Sequence, residues 1–162
     1  MIAIRSATVA DAPRCAEIYA PFVTDSWVSF ELEFPGTEEM ADRIAKALQS
    51  HAWLVAELDG VVMGYACGSE HRTRGAYRTS CDVAVYVDAR QKRQGIGRSL
   101  YEALLPSLKD RDLHAAFAGI ALPNDASIAL HRAMGFDPVG IYRQVGWKMG
   151  DWRDVAWFQR LL

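Results

Sequence analysis

The stretch from Cys81 to Leu105, CDVAVYVDARQKRQGIGRSLYEALL, constrains the fold more than any other part of the chain. A β-branched run ends in a basic, glycine-bearing loop. An amphipathic segment follows at once, with Ile96, Leu100, Ala103 and Leu104 at helical spacing. Backbone N–H groups around Gly95 and Gly97 can approach an anion closely, and a helix N-terminus adds partial positive charge. Arg90, Lys92, Arg93 and Arg98 surround the same turn, and the whole suits a pyrophosphate. A plain glycine turn with a solvated basic face fits the same spacing. Two phosphate loops are excluded. A P-loop needs Lys-Ser/Thr after its last glycine, where this chain has Arg98-Ser99 after a shorter spacing. A dinucleotide fingerprint needs a third small residue, and Leu100 sits there.

The rest of the chain is read by periodicity and punctuation. Ile2 to Ala7 alternates as a strand, and Thr8 with Asp11 three residues on predicts a helix from Val9 to Phe22. Thr37 is placed to cap a second helix, with Glu38 and Glu39 in its first turn and Met40, Ile44, Ala47 and Leu48 as its buried stripe. AWLVAELDG and VVMGYACGSE predict a hairpin on an Asp-Gly turn. HRTRGAYRT is a polar, arginine-rich loop, and CDVAVYVD a strand. Pro106 is expected to end or kink the helix after the glycine loop. HAAFAGIAL is a strand, NDASIALHRAMGF a short helix stopped by Gly135, and the C-terminal segment two strands around Gly150-Asp151. The order β-α-α-β-β-β-α-β-α-β-β predicts a mixed α/β sandwich, with residues 1–162 forming one domain.

Composition narrows the function. With 162 residues, 51% hydrophobic and 23% charged, the chain can bury an ordinary core. A formal net charge of −2 argues against a nucleic-acid binder. No apolar run approaches the roughly 18 residues of a membrane span. The start, MIAIRSATVADAP, lacks a signal-peptide layout. Cys15, Cys67 and Cys81 lack metal-ligand spacing, and the four histidines show no paired ligand spacing, so no metal is expected. A reduced, cytoplasmic protein is the expectation.

The glycine run KRQGIG resembles the acetyl-coenzyme A loop of the GNAT acyltransferase superfamily, with Lys92 where glutamine or arginine is common. AYRTSCDVAVYV, QKRQGIGRSLYEALL, IALPNDASIALHRAMGF, QVGWKMGDWRDVAWFQ and VSFELE together resemble the phosphinothricin N-acetyltransferase family, in order along nearly the whole chain. Members acetylate the amino group of glutamate-like amino acids: phosphinothricin, methionine sulfoximine and arsinothricin. The resemblance implies a mostly antiparallel sheet with a splayed central strand pair and helices on both faces. It also implies acetyl-CoA as co-substrate, a small amino-acid substrate, and a homodimer, to which Trp147, Trp152 and Trp157 could contribute.

It implies site residues too. Val85, Tyr86 and Val87 offer backbone groups to the pantetheine arm, with the Val85 N–H as oxyanion donor. Arg93, Gln94, Gly95, Ile96, Gly97 and Arg98 hold the pyrophosphate. Asn124, with Ser127 three residues on, reaches the cofactor arm, although helix capping alone explains an Asn there. His131 stands where relatives place a thiolate-protonating tyrosine; a packed histidine is the alternative. Asp82 stands at the position of the family's glutamate base, one methylene shorter, and could act through water; a strand-edge aspartate bound to nearby N–H groups fits as well. His71 replaces a common tryptophan and is the second candidate base. Arg74 and Tyr77 match an Arg-x-x-Tyr spacing that receives the acceptor, with Arg72 and Arg78 as weaker candidates and a solvated basic loop as the alternative. Phe30 and Glu31 resemble a Phe-Glu pair beside the acceptor, and Phe30 also fits a core position. The implied activity is acetyl transfer to the α-amino group of a small anionic amino acid. The alternatives are a protein N-terminal or lysine acetyltransferase and a non-catalytic acyl-CoA-binding module.

Overall fold

The computed structural model describes residues 1–91 and 93–162; Lys92 lies outside them. Its strands are β1 (Ile2–Ser6), β2 (Trp53–Leu58), β3 (Val61–Glu70), β4 (Ser80–Val87), β5 (Ala115–Ala121), β6 (Asp137–Lys148) and β7 (Asp151–Leu161). The helices are α1 (Ala12–Thr24), α2 (Gly36–Ser50), α3 (Ile96–Lys109) and α4 (Asp125–Ala133). The predicted order of elements is the observed one.

The seven strands form one sheet in the order β1-β2-β3-β4-β5-β7-β6. Every neighbouring pair is antiparallel except β4 with β5. Alternation along the strands sends side chains to two faces, and each face is covered. Leu100, Leu104 and Leu108 of α3 are fully buried against Ala66, Cys81, Val83 and Ala116. Each such leucine contributes about 1.5–3 kcal/mol by leaving water. On the other face Cys15, Ile18, Met40 and Ile44 of α1 and α2 pack with Trp53, Val55 and Tyr65.

Local differences from the sequence reading have physical reasons. The Thr8–Asp11 box forms, with the Thr8 N–H donating to Asp11 Oδ2 at 2.9 Å, but it opens a 3-10 turn (Val9–Asp11) that leads into α1. α2 starts at Gly36 behind Pro35, so Thr37 lies inside its first turn rather than at its cap. α3 continues through Pro106 to Lys109, because Leu105 and Leu108 are buried on the stripe that Leu104 belongs to. The last hairpin turns on Met149 and Gly150, both at positive φ, one residue before the predicted Gly-Asp pair. Asp59 and Gly60 make the predicted β2–β3 turn at φ 51° and 80°.

Candidate active site

β4 and β5 run together for three residue pairs, Ser80–Ala115, Cys81–Ala116 and Asp82–Phe117, and then part. Beyond Asp82, β4 stays paired to β3 as far as Val87, and β5 stays paired to β7 as far as Ala121. Two strand edges therefore face each other across a fork with no strand between them. A cavity of about 60 Å³ occupies the fork. Val85 and Tyr86 line one side, Gly119 and Ile120 the other, and Asn124, Ser127, His131 and Tyr101 complete its lining.

The glycine loop lies at the end of β4. Gly95 caps α3 at φ 72°, a left-handed conformation that disfavours side chains, and among the described residues nothing lies within 4 Å of where its Cβ would be. That leaves the first-turn N–H groups of α3 approachable. No acidic residue stands in that turn. Gly97 has a packing role besides the one its spacing suggests. A Cβ there would sit 3.3 Å from Leu130 Cδ2, so this glycine lets α3 approach α4 and β4. Arg93 and Gln94 are exposed, and the Gln94 amide donates to Gln91. Arg98 is paired with Glu102 at 2.8 Å, and Arg90 with the buried Asp88. Ile96 is buried in the α3 core. Of the predicted basic cluster, Arg93 is thus the described residue with its charge most directly available.

Beside the fork, Asn124 caps α4, its Oδ1 accepting from the Ser127 N–H at 3.2 Å. His131 is buried, with Nδ1 2.7 Å from the Ser127 carbonyl and Nε2 2.9 Å from the Tyr101 hydroxyl. A carbonyl only accepts, so Nδ1 carries the proton and Nε2 accepts from Tyr101. Burial lowers the pKa of the ring and favours this neutral form. The Nδ1 proton of His131 is held by Ser127, and His131, Ser127 and Tyr101 all line the cavity.

A second, larger cavity of about 660 Å³ lies on the α2 side of the sheet. Ala84 and Tyr86 line both cavities, so one short piece of β4 forms a common wall. Arg43, Lys46 and Arg78 give the larger cavity its positive charge, and Tyr19, Tyr65 and Tyr77 its aromatic walls. From the arginine loop, then, Tyr77 and Arg78 border this space. Arg72 and Arg74 are exposed and do not, and the Arg72 guanidinium turns back to the His71 carbonyl at 2.9 Å.

Glu31 is bound to two residues that line this cavity, and Phe30 packs on β6. The Glu31 carboxylate accepts from Arg43 at 2.9 and 2.5 Å and from the Tyr19 hydroxyl, and the guanidinium holds its pKa below the usual range. Burial, with the Glu31 contact adding to it, pushes the Tyr19 phenol up to about 12. Phe30 packs against Gly146, where a Cβ would be 2.5 Å from its ring. These contacts hold the segment after α1 over the mouth of the fork, where Val28 lines the smaller cavity and the Trp27 indole donates to the Pro123 carbonyl at 3.1 Å.

At the apex of the fork, His71 Nδ1 and Asp82 Oδ1 are 2.5 Å apart. The two candidate bases are therefore one hydrogen-bonded pair. His71 stacks on Phe117 with ring centres 4.3 Å apart. Burial raises the Asp82 pKa, and the His71 contact opposes that shift.

A strand fork, a glycine-capped helix at its mouth and a basic cavity behind it have counterparts among known proteins. Residues 15–136 match the Acetyltransferase (GNAT) family. The chain belongs to the GNAT acetyltransferase family. It is 37% identical to a phosphinothricin N-acetyltransferase of Streptomyces viridochromogenes over 98% of this chain and 87% of that one. It is 36% identical to an L-methionine sulfoximine/L-methionine sulfone acetyltransferase of Pseudomonas paraeruginosa, over 96% and 92%. The structure of a GNAT superfamily phosphinothricin acetyltransferase from Sinorhizobium meliloti, in complex with AcCoA, matches with a TM-score of 0.95 at 33% identity, covering 99% of this chain and 88% of that chain. Acetyl-CoA is the co-substrate of the GNAT reaction, and the fork and the Gly95-capped helix fit it: free strand edges for the amides of its arm and open N–H groups for its phosphates.

Among the residues lining the two cavities, Arg43, Lys46 and Tyr101 escaped the sequence reading. Arg43 and Lys46 lie on the polar side of α2, and only tertiary packing brings them to the cavity. Tyr101 carried a usable signal: a tyrosine on the buried stripe of α3 needs a partner for its hydroxyl.

Proposed function

We propose that this enzyme transfers acetyl from acetyl-CoA to the α-amino group of a small anionic, glutamate-like amino acid, with the whole chain acting as one catalytic domain. The observation that carries this reading is the common wall. The fork and the cationic cavity share Ala84 and Tyr86, so a site for the thioester and a site for the amine adjoin at one short piece of β4. The relatives are named for phosphinothricin and methionine sulfoximine, both amino acids with a second polar head. Arg78 and Lys46 suit the carboxylate and that head, since cationic side chains bind such oxygens with charge-assisted hydrogen bonds.

The chemistry assigned to the residues is direct attack. Backbone groups of Val85, Tyr86 and Val87 hold the pantetheine arm, and the Val85 N–H stabilises the oxyanion. Gly95 and the first turn of α3, with Arg93, receive the pyrophosphate, and the free amide of Asn124 faces the arm. The ammonium loses its proton at the Asp82–His71 apex. The hydrogen-bonded Tyr101–His131 pair at the fork relays a proton to the thiolate and is restored by the proton the acceptor nitrogen gives up. An acetyl-CoA consumption assay across phosphinothricin, methionine sulfoximine, common amino acids and N-terminal and lysyl peptides tests the reading. Turnover confined to peptides would replace it with protein acetylation, and binding without turnover would leave an acyl-CoA-binding module.

A second copy of the chain is the partner proposed for β6. Among the described residues this edge strand pairs only with β7, and it exposes Val139, Ile141, Tyr142, Val145 and Trp147. Trp152 is exposed beside Trp147, whereas Trp157 lies over Gly119 in the sheet. A monomer mass in light scattering at micromolar concentration would remove this pairing. The free thiols Cys15, Cys67 and Cys81 accord with a cytoplasmic setting, and no helix among the described residues is long and apolar enough to cross a membrane.

A further inference from the structure

We propose that the His71 imidazole is the group that takes the proton from the acceptor ammonium, and that Asp82 is a positioning residue acting through it. The proposal rests on the acetyl-transfer reading above. Its first support is the contact itself. Asp82 Oδ1 lies 2.5 Å from His71 Nδ1, so the carboxylate is already engaged by the ring. An ionised carboxylate only accepts, so the proton of the neutral ring is on Nδ1. Nε2 is then left with a bare lone pair and, among the described residues, no partner. A carboxylate that fixes an imidazole tautomer and stabilises the imidazolium is the arrangement of hydrolase triads, where the aspartate never takes the proton.

The second support is placement. Asp82–Phe117 is the last pair before the fork opens, and His71 is stacked on Phe117 at 4.3 Å. Tyr77, which lines the acceptor cavity, meets the ring edge-on at 6.0 Å, and Trp157 of β7 meets it at 6.3 Å. Residues of four elements thus fix the ring at the apex, and one of them, Tyr77, joins it to the lining of the larger cavity. The titratable and charged groups facing it are Asp82 from β4, Tyr77 from the 3-10 turn (Gly75–Tyr77), and Arg72, which binds the His71 carbonyl. The short Asp82 side chain, one methylene less than a glutamate, gains from the ring the reach it lacks.

In the step, one ammonium N–H bond breaks and its proton goes to Nε2. The freed nitrogen lone pair forms the C–N bond to the thioester carbon, whose π electrons move to oxygen. Collapse breaks the C–S bond, with the electron pair leaving on sulfur. The second ammonium proton ends on that thiolate, the third stays on the amide nitrogen, and the imidazolium returns its proton to water.

Chemical rescue separates the two residues. With whichever amine the parent enzyme acetylates fastest, His71→Gly should lose about 10²–10⁴-fold in kcat. Added imidazole should restore part of the rate, rising with its concentration and with pH through its own titration. Asp82→Asn should lose less, move the acid limb of kcat to lower pH, and gain nothing from imidazole. A His71→Gly enzyme that still shows a melting shift with acetyl-CoA but no rescue overturns the proposal, as does rescue of Asp82→Gly by formate. If His71→Gly does not fold, nitrogen-15 NMR of the histidines decides. The His71 ring should show the Nδ1–H tautomer in the parent and lose that preference in Asp82→Asn; an unchanged tautomer overturns the pairing. An enzyme that turns over only peptides would sink the substrate reading while leaving the rescue experiment interpretable.

Discussion

The ammonium of Lys148, near the end of β6, lies 2.5 Å from the Ser29 carbonyl and 2.8 Å from the Glu31 carbonyl. A residue on the C-terminal hairpin thereby pins the segment between α1 and α2 over the fork. Lys148 is buried, and burial lowers its pKa while the Glu31 charge raises it. Lys148→Met should leave two carbonyls unsatisfied and destabilise by about 1–3 kcal/mol. Thermal melts should show a loss of roughly 2–4 °C per kcal/mol in a chain of this size. An unchanged melting temperature would mean that the clamp carries no energy.

The two loop glycines should respond differently to substitution. Gly95→Ala places a Cβ at φ 72° in open space, a strain of about 1–2 kcal/mol that moves the first-turn N–H groups. The melting shift produced by acetyl-CoA should shrink in this variant. Gly97→Val overpacks Leu130 and should lower the melting temperature of the free protein, by about 1–3 kcal/mol in stability. Calorimetric affinities for acetyl-CoA that match in Gly95→Ala and the parent would remove the anion cradle.

Within the arginine loop, Arg78 should matter more than Arg74. Arg78 borders the acceptor cavity and Arg74 does not. Arg78→Ala should raise KM for an anionic amino acid about five- to tenfold, or ~1 kcal/mol for an exposed charge contact. Arg74→Ala should leave KM within about twofold. Steady-state kinetics showing the reverse order would move the acceptor to the far side of the loop.

Acid should weaken the fold in a defined window. Arg5 holds Asp11, Arg43 holds Glu31, and Arg90 with Arg14 holds Asp88, each below the usual carboxylate range. A carboxylate with a lowered folded pKa contributes stability above its unfolded pKa of about 4 and loses it as pH falls through the folded value. Urea midpoints should therefore hold steady near neutrality and fall below about pH 4. High salt should soften the fall, since the Arg43–Glu31 pair is only partly buried. A flat midpoint down to pH 2.5 would refute this account.

The strands and the β2–β3 turn were legible because alternation and Asp59-Gly60 are local signals. The helix after Pro106 was not. The missing N–H removes one hydrogen bond, and only the buried Leu105 and Leu108 show why the chain stays helical to Lys109. Asp82 and His71 could each be singled out in the sequence, yet their union depends on the β3–β4 register, which pairs Glu70 with Cys81. Glu31 matched a motif whose carboxylate the structure gives to Arg43, a partner twelve residues on that belongs to another element. Arg43 and Lys46 read as the solvated face of α2, and the cavity they line exists only once that helix crosses the sheet.

The forked edge of β4 has a consequence for how the sequence can drift. Its contacts with a bound arm would be made by peptide groups, and peptide groups are the same whatever side chain they carry. Isoleucine or threonine at Val85 would present the same amide. The docking edge is thus insulated from most coding changes, while the neighbouring cavity, built from Arg43, Lys46, Tyr77 and Arg78, can change its taste for an acceptor one substitution at a time. Proline is the exception: it deletes the N–H itself, and at Val85 it would silence the edge in a single codon.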